Sequence, residues 1–159
     1  MEKRAKKVSE SSVVLAQIML PADTNPAGHV HGGTIMKLID NAAYVVAARH
    51  TASNAVTASI DRLDFHCPVF LGNLVTLKAS MNRAGRTSME VGVRVEAENL
   101  MTGEVRHTAS AYLTFVALGA DGRPMPVPGL IAETDEDRRR FAEAAKRYDY
   151  RKSTKNPAL

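Results

Sequence analysis

The longest helical pattern in the sequence lies at residues 33–50, which read Gly-Thr-Ile-Met-Lys-Leu-Ile-Asp-Asn-Ala-Ala-Tyr-Val-Val-Ala-Ala-Arg-His. Its apolar residues recur at the i, i+3, i+4, i+7 spacing of one helix face, which predicts a long helix with a wide apolar stripe. Because many of these residues are alanine, other elements can approach closely, and we predict that the helix is enclosed. Asp40 lies one position off the stripe, on the face that carries Met36 and Tyr44. We therefore expect the Asp40 carboxylate at the edge of the buried surface.

A polar loop precedes this helix, over residues 21–33. It offers Asp23, Asn25, His29 and His31 as polar side chains, and it ends in the pair Gly32-Gly33. Two glycines at a helix N-terminus leave backbone N–H groups pointing outward with no side chain in the way, which suits an anion or a developing oxyanion. The same glycines could also do no more than permit a tight turn from loop to helix.

The rest of the chain predicts an antiparallel sheet. Residues 12–20 favour an opening strand. Four more strands are predicted over 56–65, 74–81, 89–97 and 108–118, and apolar residues alternate in the second and third of these. The short turns between them suit antiparallel pairing, so we predict an α+β fold with the long helix against one face of the sheet. An open sheet leaves edge strands unpaired, which favours self-association.

The chain of 159 residues is long enough for one domain. We predict a basic disordered arm over residues 1–10, the domain over 11–132, a C-terminal helix over 133–150 and a flexible tail over 151–159. Thr134 is a suitable N-cap for the second helix, whose first turn is acidic and whose last turn is basic. For that helix, we favour docking on the protein body or on a neighbouring subunit over a ligand role for Arg138 to Arg140.

Composition narrows the possible partners. The net charge of +4 favours anionic ligands, but eight aromatic residues, no tryptophan and no known module argue against nucleic acid, so a phosphate-bearing small molecule is preferred. No apolar run is long enough to span a membrane. The single cysteine, Cys67, gives no sign of an oxidising compartment, and we expect a cytoplasmic protein.

The residue types exclude several kinds of catalytic site. His29 and His31 are too few to hold a metal, and a serine-nucleophile elbow, a P-loop and a dinucleotide fingerprint are absent, so we predict neither metal nor cofactor. What remains is a carboxylate at Asp40, a loop amide or imidazole, and the backbone donors of Gly32-Gly33. These groups suit hydrolysis of a carbonyl compound by a general base. An isolated helix aspartate is more often only solvated, so its partners decide the assignment.

Taken together, several short motifs resemble those of the hot-dog-fold acyl-CoA thioesterases, over roughly residues 13–148. Each motif is weak alone, but the set in this order is specific to the acyl-CoA hydrolase group, which includes bacterial single-domain enzymes and the tandem-domain cytosolic enzymes. The motifs are Asp23-Thr24-Asn25, Gly28, Val30-His31-Gly32-Gly33, Met36-Lys37-Leu38-Ile39-Asp40, Phe65-His66, Pro68-Val69, Gly72, Gly85-Arg86-Thr87-Ser88-Met89 and Val127-Pro128.

The resemblance implies a fold, an assembly and a site. The implied fold is a sheet wrapped around a central helix. Two protomers pair their sheets edge to edge, and the active sites lie between them. Three such dimers often assemble into a hexamer. By the same resemblance Asp40 and Asn25, usually from opposite protomers, hydrolyse fatty acyl-CoA. The N–H of Gly32 or Gly33 polarises the thioester carbonyl, and His31 supports the loop. Residues that lie near the coenzyme A nucleotide by this resemblance are Arg86, Thr87 and Ser88.

Three alternatives stay open at this point. Asp40 could activate water as a general base or attack the carbonyl itself to form an anhydride. The chain could be an acyl-CoA-binding regulatory domain without turnover. It could also be a hot-dog hydratase, although the loop here runs into Gly32-Gly33 and a helix that bears Asp40, unlike the hydratase arrangement.

Overall fold

A computed structural model describes residues 4–155 of the chain and contains the predicted α+β fold. Helix α1, Gly32–Thr51, is followed by four long strands, and helix α2, Asp135–Thr154, ends the described chain. The strands are β1 (Lys6–Lys7), β2 (Val13–Ile18), β3 (Asn54–Phe65), β4 (Leu74–Ala84), β5 (Ser88–Glu98), β6 (Val105–Leu118) and β7 (Leu130–Ile131).

Five of these strands form one antiparallel sheet in the order β2-β4-β5-β6-β3. Alternate residues of each strand point to opposite faces. On one face the buried side chains of the central strands, such as Leu77, Val91 and Leu113, pack against α1. The apolar stripe of α1 lies in the same core, where Ile35, Ile39 and Val46 are at most 2% exposed. The fold class inferred from the sequence is confirmed.

Helix α2 packs against the other face of the sheet. Its N-cap is Thr134, as predicted, and the Thr134 hydroxyl accepts a hydrogen bond from the Asp137 N–H at 3.1 Å. Arg140 donates to Ser80 of β4, and Arg147 binds the buried carboxylate of Glu90 on β5. The helix continues to Thr154, four residues into the segment predicted as a flexible tail, because Arg151 forms an ion pair with Asp61 of β3. Residues 156–159 lie outside the described part.

The predicted disordered arm, residues 1–10, is wrong for the part that the structure describes. Lys6–Lys7 pairs in parallel with Leu130–Ile131, and residues 8–10 form a short 3-10 helix. The Val8 side chain is buried, and the Ser9 N–H donates to the Glu133 carboxylate at 3.1 Å. These contacts join segments far apart in sequence, so local composition did not reveal them. Residues 1–3 of the arm lie outside the described part.

Strand β3 forms one edge of the sheet and runs beside α1. Among the strands of residues 4–155 it pairs only with β6, so its outer side offers backbone groups unpaired within that part of the chain. The pairing is interrupted by irregularities between Thr57 and Ser59 and between Ile60 and Arg62. Three large apolar side chains on this strand, Val56, Ile60 and Phe65, stay 39% to 50% exposed. This edge is therefore an unpartnered surface of the protomer.

Candidate active site

The loop before α1 is held by the side chain of Asn25. Its Oδ1 accepts the N–H groups of Ala27 at 3.0 Å and His29 at 3.1 Å, and Gly28 adopts a left-handed φ of +82° that closes the turn. Since Oδ1 already has two backbone donors, the amide nitrogen is the free end of the side chain. In the described part of the chain, Asn25 Nδ2 makes no hydrogen bond.

Among the described residues of the protomer, no close contact requires glycine at the first two positions of α1. Neither has a positive φ; a Cβ placed on Gly33 meets nothing within 4 Å, and one placed on Gly32 comes no closer than 3.6 Å to the Phe65 ring. Neither backbone conformation nor packing within the protomer therefore explains glycine at these two positions. Open space and two N–H groups without an intrahelical acceptor suit the approach of an anion or a polarised carbonyl.

His31 serves the loop through its backbone. It is the residue before the first helical turn, its N–H donates to the Asp23 carbonyl at 3.0 Å, and its carbonyl accepts from Thr34 at 3.0 Å. The imidazole is exposed and makes no hydrogen bond in the described residues. His29 is also exposed, with its ring edge-on against Phe70 at 5.0 Å.

Asp40 lies halfway along α1, beside the edge strand. It is partly buried, as its position next to the apolar stripe predicted, while Met36 and Tyr44 on the same face are 41% and 42% exposed. The Thr57 hydroxyl of β3 donates to Asp40 Oδ1 at 2.6 Å. No other hydrogen bond or ion pair of Asp40 occurs among the described residues, so most of the acceptor capacity of this carboxylate is available.

Asp40 and the loop are separated within one protomer. Asp40 lies eight positions after Gly32 in the helix, which at about 1.5 Å per residue is roughly 12 Å along the axis. A carbonyl group held by the N–H groups of Gly32 and Gly33 is therefore beyond direct contact with the Asp40 carboxylate of the same chain. No hydrogen bond joins Asn25 to Asp40 in the part that the structure describes.

The turn at Arg86, Thr87 and Ser88 lies at the same end of the sheet as the Asp40–Thr57 pair. Ser88 is opposite Val116 of β6, which in turn is opposite Val56 of β3. Two strand spacings, roughly 10 Å, thus separate this turn from the edge. The backbone of the turn is fixed by bonds from Val127 to Arg86 and from Ala117 to Thr87. The exposed Arg86 guanidinium has no ion pair within the described range.

The three arginines in the first half of α2 are already paired with carboxylates of the same helix. Arg138 pairs with Asp135, Arg139 with Glu136 and Glu143, and Arg140 with Glu136. On the edge strand β3, burial raises the pKa of the Asp61 carboxyl, an effect that the neighbouring Arg151 opposes. Across residues 4–155, no cluster of three or more His, Cys, Asp or Glu side chains is arranged so that it could hold a metal ion.

Thr57 is the site residue that sequence reasoning missed. A threonine in a predicted strand is ordinary, since β-branched residues favour strands. Its role depends on a contact with Asp40 of α1, which lies seventeen residues earlier in the chain. Periodicity within β3 or within α1 does not reveal such a contact.

Comparisons with known proteins place the chain in a family. Residues 27–104 match the model of the thioesterase superfamily. A relative described as an uncharacterized acyl-CoA thioester hydrolase of Bacillus subtilis is 42% identical over 146 residues, which covers 92% of this chain and 85% of the relative. The mouse cytosolic acyl coenzyme A thioester hydrolase is 41% identical over 143 residues, which covers 89% of this chain. The chain spans only 38% of the length of that mouse protein.

Solved structures of similar chains share the whole fold. An acyl-CoA hydrolase from Staphylococcus aureus, in complex with butyryl coenzyme A and coenzyme A, superposes with a TM-score of 0.88 at 36% identity over 94% of this chain and 91% of that one. An apo-hexameric acyl-CoA thioesterase superposes with a TM-score of 0.91 at 38% identity over 95% and 97% of the two chains. The S. aureus enzyme was also solved as alanine variants of an asparagine, an aspartate 15 positions further on and a threonine 17 positions beyond that.

Among residues 4–155, no helix is both long and apolar enough to cross a membrane. The fold, the family-model match and the similarity to the B. subtilis relative over most of both chains lead to one conclusion. This chain is a member of the hot-dog-fold acyl-CoA thioester hydrolases of the thioesterase superfamily.

Proposed function

We propose that this protein hydrolyses fatty acyl-CoA to a free fatty acid and coenzyme A, with Asp40 as the catalytic carboxylate. The observation that carries this proposal is the contact between Thr57 and Asp40 at the edge of the sheet. Asn25, Asp40 and Thr57 are spaced 15 and 17 residues apart, the same spacing as the asparagine, aspartate and threonine substituted in the S. aureus enzyme.

The groups at the site suit hydrolysis of a thioester. Asp40 takes a proton from water as the water oxygen bonds to the carbonyl carbon, and the N–H groups of Gly32 and Gly33 donate to the oxyanion that forms. The carbon–sulfur bond then breaks, and the proton held by Asp40 passes to the leaving thiolate. The free Nδ2 of Asn25 is a donor that positions the water or the thioester. Direct attack by Asp40 through an anhydride uses the same groups, and trapping of labelled oxygen in Asp40 distinguishes the two routes.

The complete site is shared by two protomers in this proposal. The separation of roughly 12 Å between Gly32 and Asp40 along α1 supports it, because one protomer does not bring both to the same carbonyl. The unpaired edge of β3, with its exposed apolar side chains, supports pairing of two sheets beside Asp40. A homodimer then has two sites, and the hexameric relative supports a trimer of such dimers.

The coenzyme A nucleotide is assigned to the turn of Arg86, Thr87 and Ser88. A guanidinium without an ion pair suits phosphate, and the S. aureus relative was solved with coenzyme A bound. We propose a cytoplasmic location, since the mammalian relatives are named cytosolic.

A thioesterase assay tests the proposed function. The unmutated protein is expected to release thiol from a panel of acyl-CoAs, whereas Asp40→Asn, which keeps the size of the side chain, lowers kcat/KM by about 10²- to 10⁴-fold. Asp149→Asn on the exposed side of α2 is the matched control and leaves the rate unchanged. Full activity of a folded Asp40→Asn variant contradicts the assignment of Asp40. Binding of acyl-CoA without any turnover by the unmutated protein instead identifies a regulatory domain.

A further inference from the structure

The His50 side chain is fully buried near the C-terminal end of α1. Its Nε2 lies 2.8 Å from the Pro128 carbonyl oxygen. Since a carbonyl oxygen can only accept, Nε2 carries the proton, and Nδ1 of the neutral ring is a bare acceptor. Nδ1 has no hydrogen-bond partner among residues 4–155. Burial lowers the pKa of His50, an effect that the bond to Pro128 opposes, so the ring is neutral near pH 7.

The unpaired nitrogen makes histidine unfavourable for packing at this position. Burial removes the water that Nδ1 would otherwise bind, whereas an apolar side chain of similar size has no such group to leave unpaired. Packing alone therefore does not explain a buried imidazole here. What the imidazole provides, and an apolar side chain lacks, is the N–H that binds the Pro128 carbonyl.

Pro128 belongs to residues 125–129, which we call the strap. In the described chain the strap forms neither helix nor strand, so no ladder of backbone bonds fixes it. It is held at separate points, one of which is the Met125 N–H that donates to the Ala117 carbonyl at 2.9 Å. The bond from His50 is another of these points. Segments with few regular backbone bonds open locally more readily, so each such contact matters for the position of the strap.

The strap also carries a bond that fixes the proposed coenzyme A turn. The Val127 N–H donates to the Arg86 carbonyl at 2.9 Å, and Val127 directly precedes Pro128. The ring of Pro128 restricts backbone rotation between the two bonded groups, so a displacement of one is transmitted to the other. His50 thus reaches the backbone of Arg86 through two adjacent residues of the strap.

We propose that His50 is a positioning residue for coenzyme A: it holds the strap, and the strap holds the turn of Arg86, Thr87 and Ser88 in its binding geometry. The inference rests on the proposed function, which assigns the nucleotide to that turn. A residue that orients a binding group without touching the ligand raises the fraction of molecules that are competent to bind. His50 therefore acts on affinity for coenzyme A, while Asp40 lies ten positions earlier in α1, roughly 15 Å along the axis.

Hydrogen exchange tests the link between His50 and the strap without any ligand. His50→Leu removes the donor to Pro128, and we expect the Val127 amide to exchange several-fold faster relative to the amides of the central strand β5. Thr108→Val is the matched control, because it removes a buried hydroxyl bond to a backbone carbonyl near the opposite end of β6. An unchanged ratio in His50→Leu, or an equal rise in Thr108→Val, overturns the link.

Calorimetry with coenzyme A tests the consequence for the site. If the turn keeps its binding geometry in about a fifth of His50→Leu molecules, the apparent Kd rises about fivefold. Arg86→Ala removes the proposed phosphate contact and is expected to raise the Kd about tenfold or more, whereas Thr108→Val leaves it unchanged. A rise in Arg86→Ala without one in His50→Leu overturns the role of His50 alone. An unchanged Kd in Arg86→Ala refutes the nucleotide site itself.

Kinetics and a conservative variant separate positioning from general loosening. His50→Leu is expected to raise KM for an acyl-CoA about fivefold with kcat changed less than twofold. His50→Gln keeps an N–H donor near the place of Nε2, and we expect it to restore most of the coenzyme A affinity and the slow exchange of Val127. Equal affinities of the two variants, or a fall in kcat at constant KM, contradict the proposal. If the unmutated protein hydrolyses no acyl-CoA, the proposed function fails, and the exchange and coenzyme A measurements still decide the role of His50.

Discussion

Asp40 and Glu90 are two carboxylates at opposite faces of the same sheet, and they differ in burial and in the number of hydrogen bonds that they accept. Glu90, only 3% exposed, accepts hydrogen bonds from the Arg147 guanidinium at 2.7, 3.1 and 3.2 Å and from Asn82 Nδ2 at 3.1 Å. Arg147 also stacks over the Tyr112 ring at 3.7 Å. Asp40, partly exposed, has the Thr57 hydroxyl as its hydrogen-bond partner in the described chain.

The difference shows which carboxylate is free to react. A buried charge that is fully paired fixes the position of another element, and here Glu90 holds α2 on the sheet. A carboxylate with one partner and an unpartnered strand beside it keeps acceptor capacity for water or substrate. The same contrast separates the paired arginines of α2 from the exposed Arg86, which has no ion pair within the described residues.

The largest expected effect is on stability, at the paired carboxylate. Arg147→Ala leaves Glu90 buried without its main partner, and we expect a loss of about 3–5 kcal/mol in the free energy of unfolding, measured with urea. Arg138→Ala removes an ion pair between exposed side chains and serves as the control, with an expected loss of about 1 kcal/mol or less. If both variants lose the same small amount, Glu90 does not anchor α2.

Removing the hydroxyl that contacts Asp40 is expected to affect rate more than stability. Thr57→Val keeps the shape of the side chain but removes the donor to the carboxylate, a bond worth about 1.5–3 kcal/mol when one partner is charged. We expect kcat/KM to fall by roughly tenfold or more, with the melting temperature little changed. Thr57→Ser keeps the donor and is expected to recover most of the rate. A Thr57→Val enzyme with unmutated kinetics would show that the hydroxyl does not position Asp40.

The smallest effect is expected at the start of α1, where it distinguishes two explanations for the glycines. Gly33→Ala is free of clashes within the protomer and improves helix propensity, so we expect stability to rise by up to about 1 kcal/mol. If the open space serves substrate or a partner subunit, thioester hydrolysis falls several-fold in the same variant. Reduced stability with full activity instead supports the simple turn-forming role.

The elements of the fold that could be predicted are those whose signal is local. The periodicity of residues 33–50 predicted α1 within one residue at each end, and strand-forming residues between turn signals predicted the four long strands. Strands β1 and β7 have two residues each and exist through pairing between distant segments, which no local pattern records. The end of α2 depends on the contact of Arg151 with Asp61, also distant in sequence.

The candidate site shows the same limit. Asp40 was identified from its position beside the apolar stripe together with the family resemblance, and the structure shows it at the predicted edge. Thr57 was missed because its contact is tertiary.

A mixture of two inactive variants tests most directly the claim that two protomers share each site. Asp40→Ala and Asn25→Ala chains are produced together, so that mixed dimers form, and thioester hydrolysis is compared with each variant alone. If the aspartate and the asparagine of a site come from different protomers, one of the two sites in every mixed dimer is intact, and random pairing restores roughly a quarter of the unmutated activity. If both residues act within one protomer, every site in the mixture carries a defect, and no recovery above the separate variants contradicts the shared site.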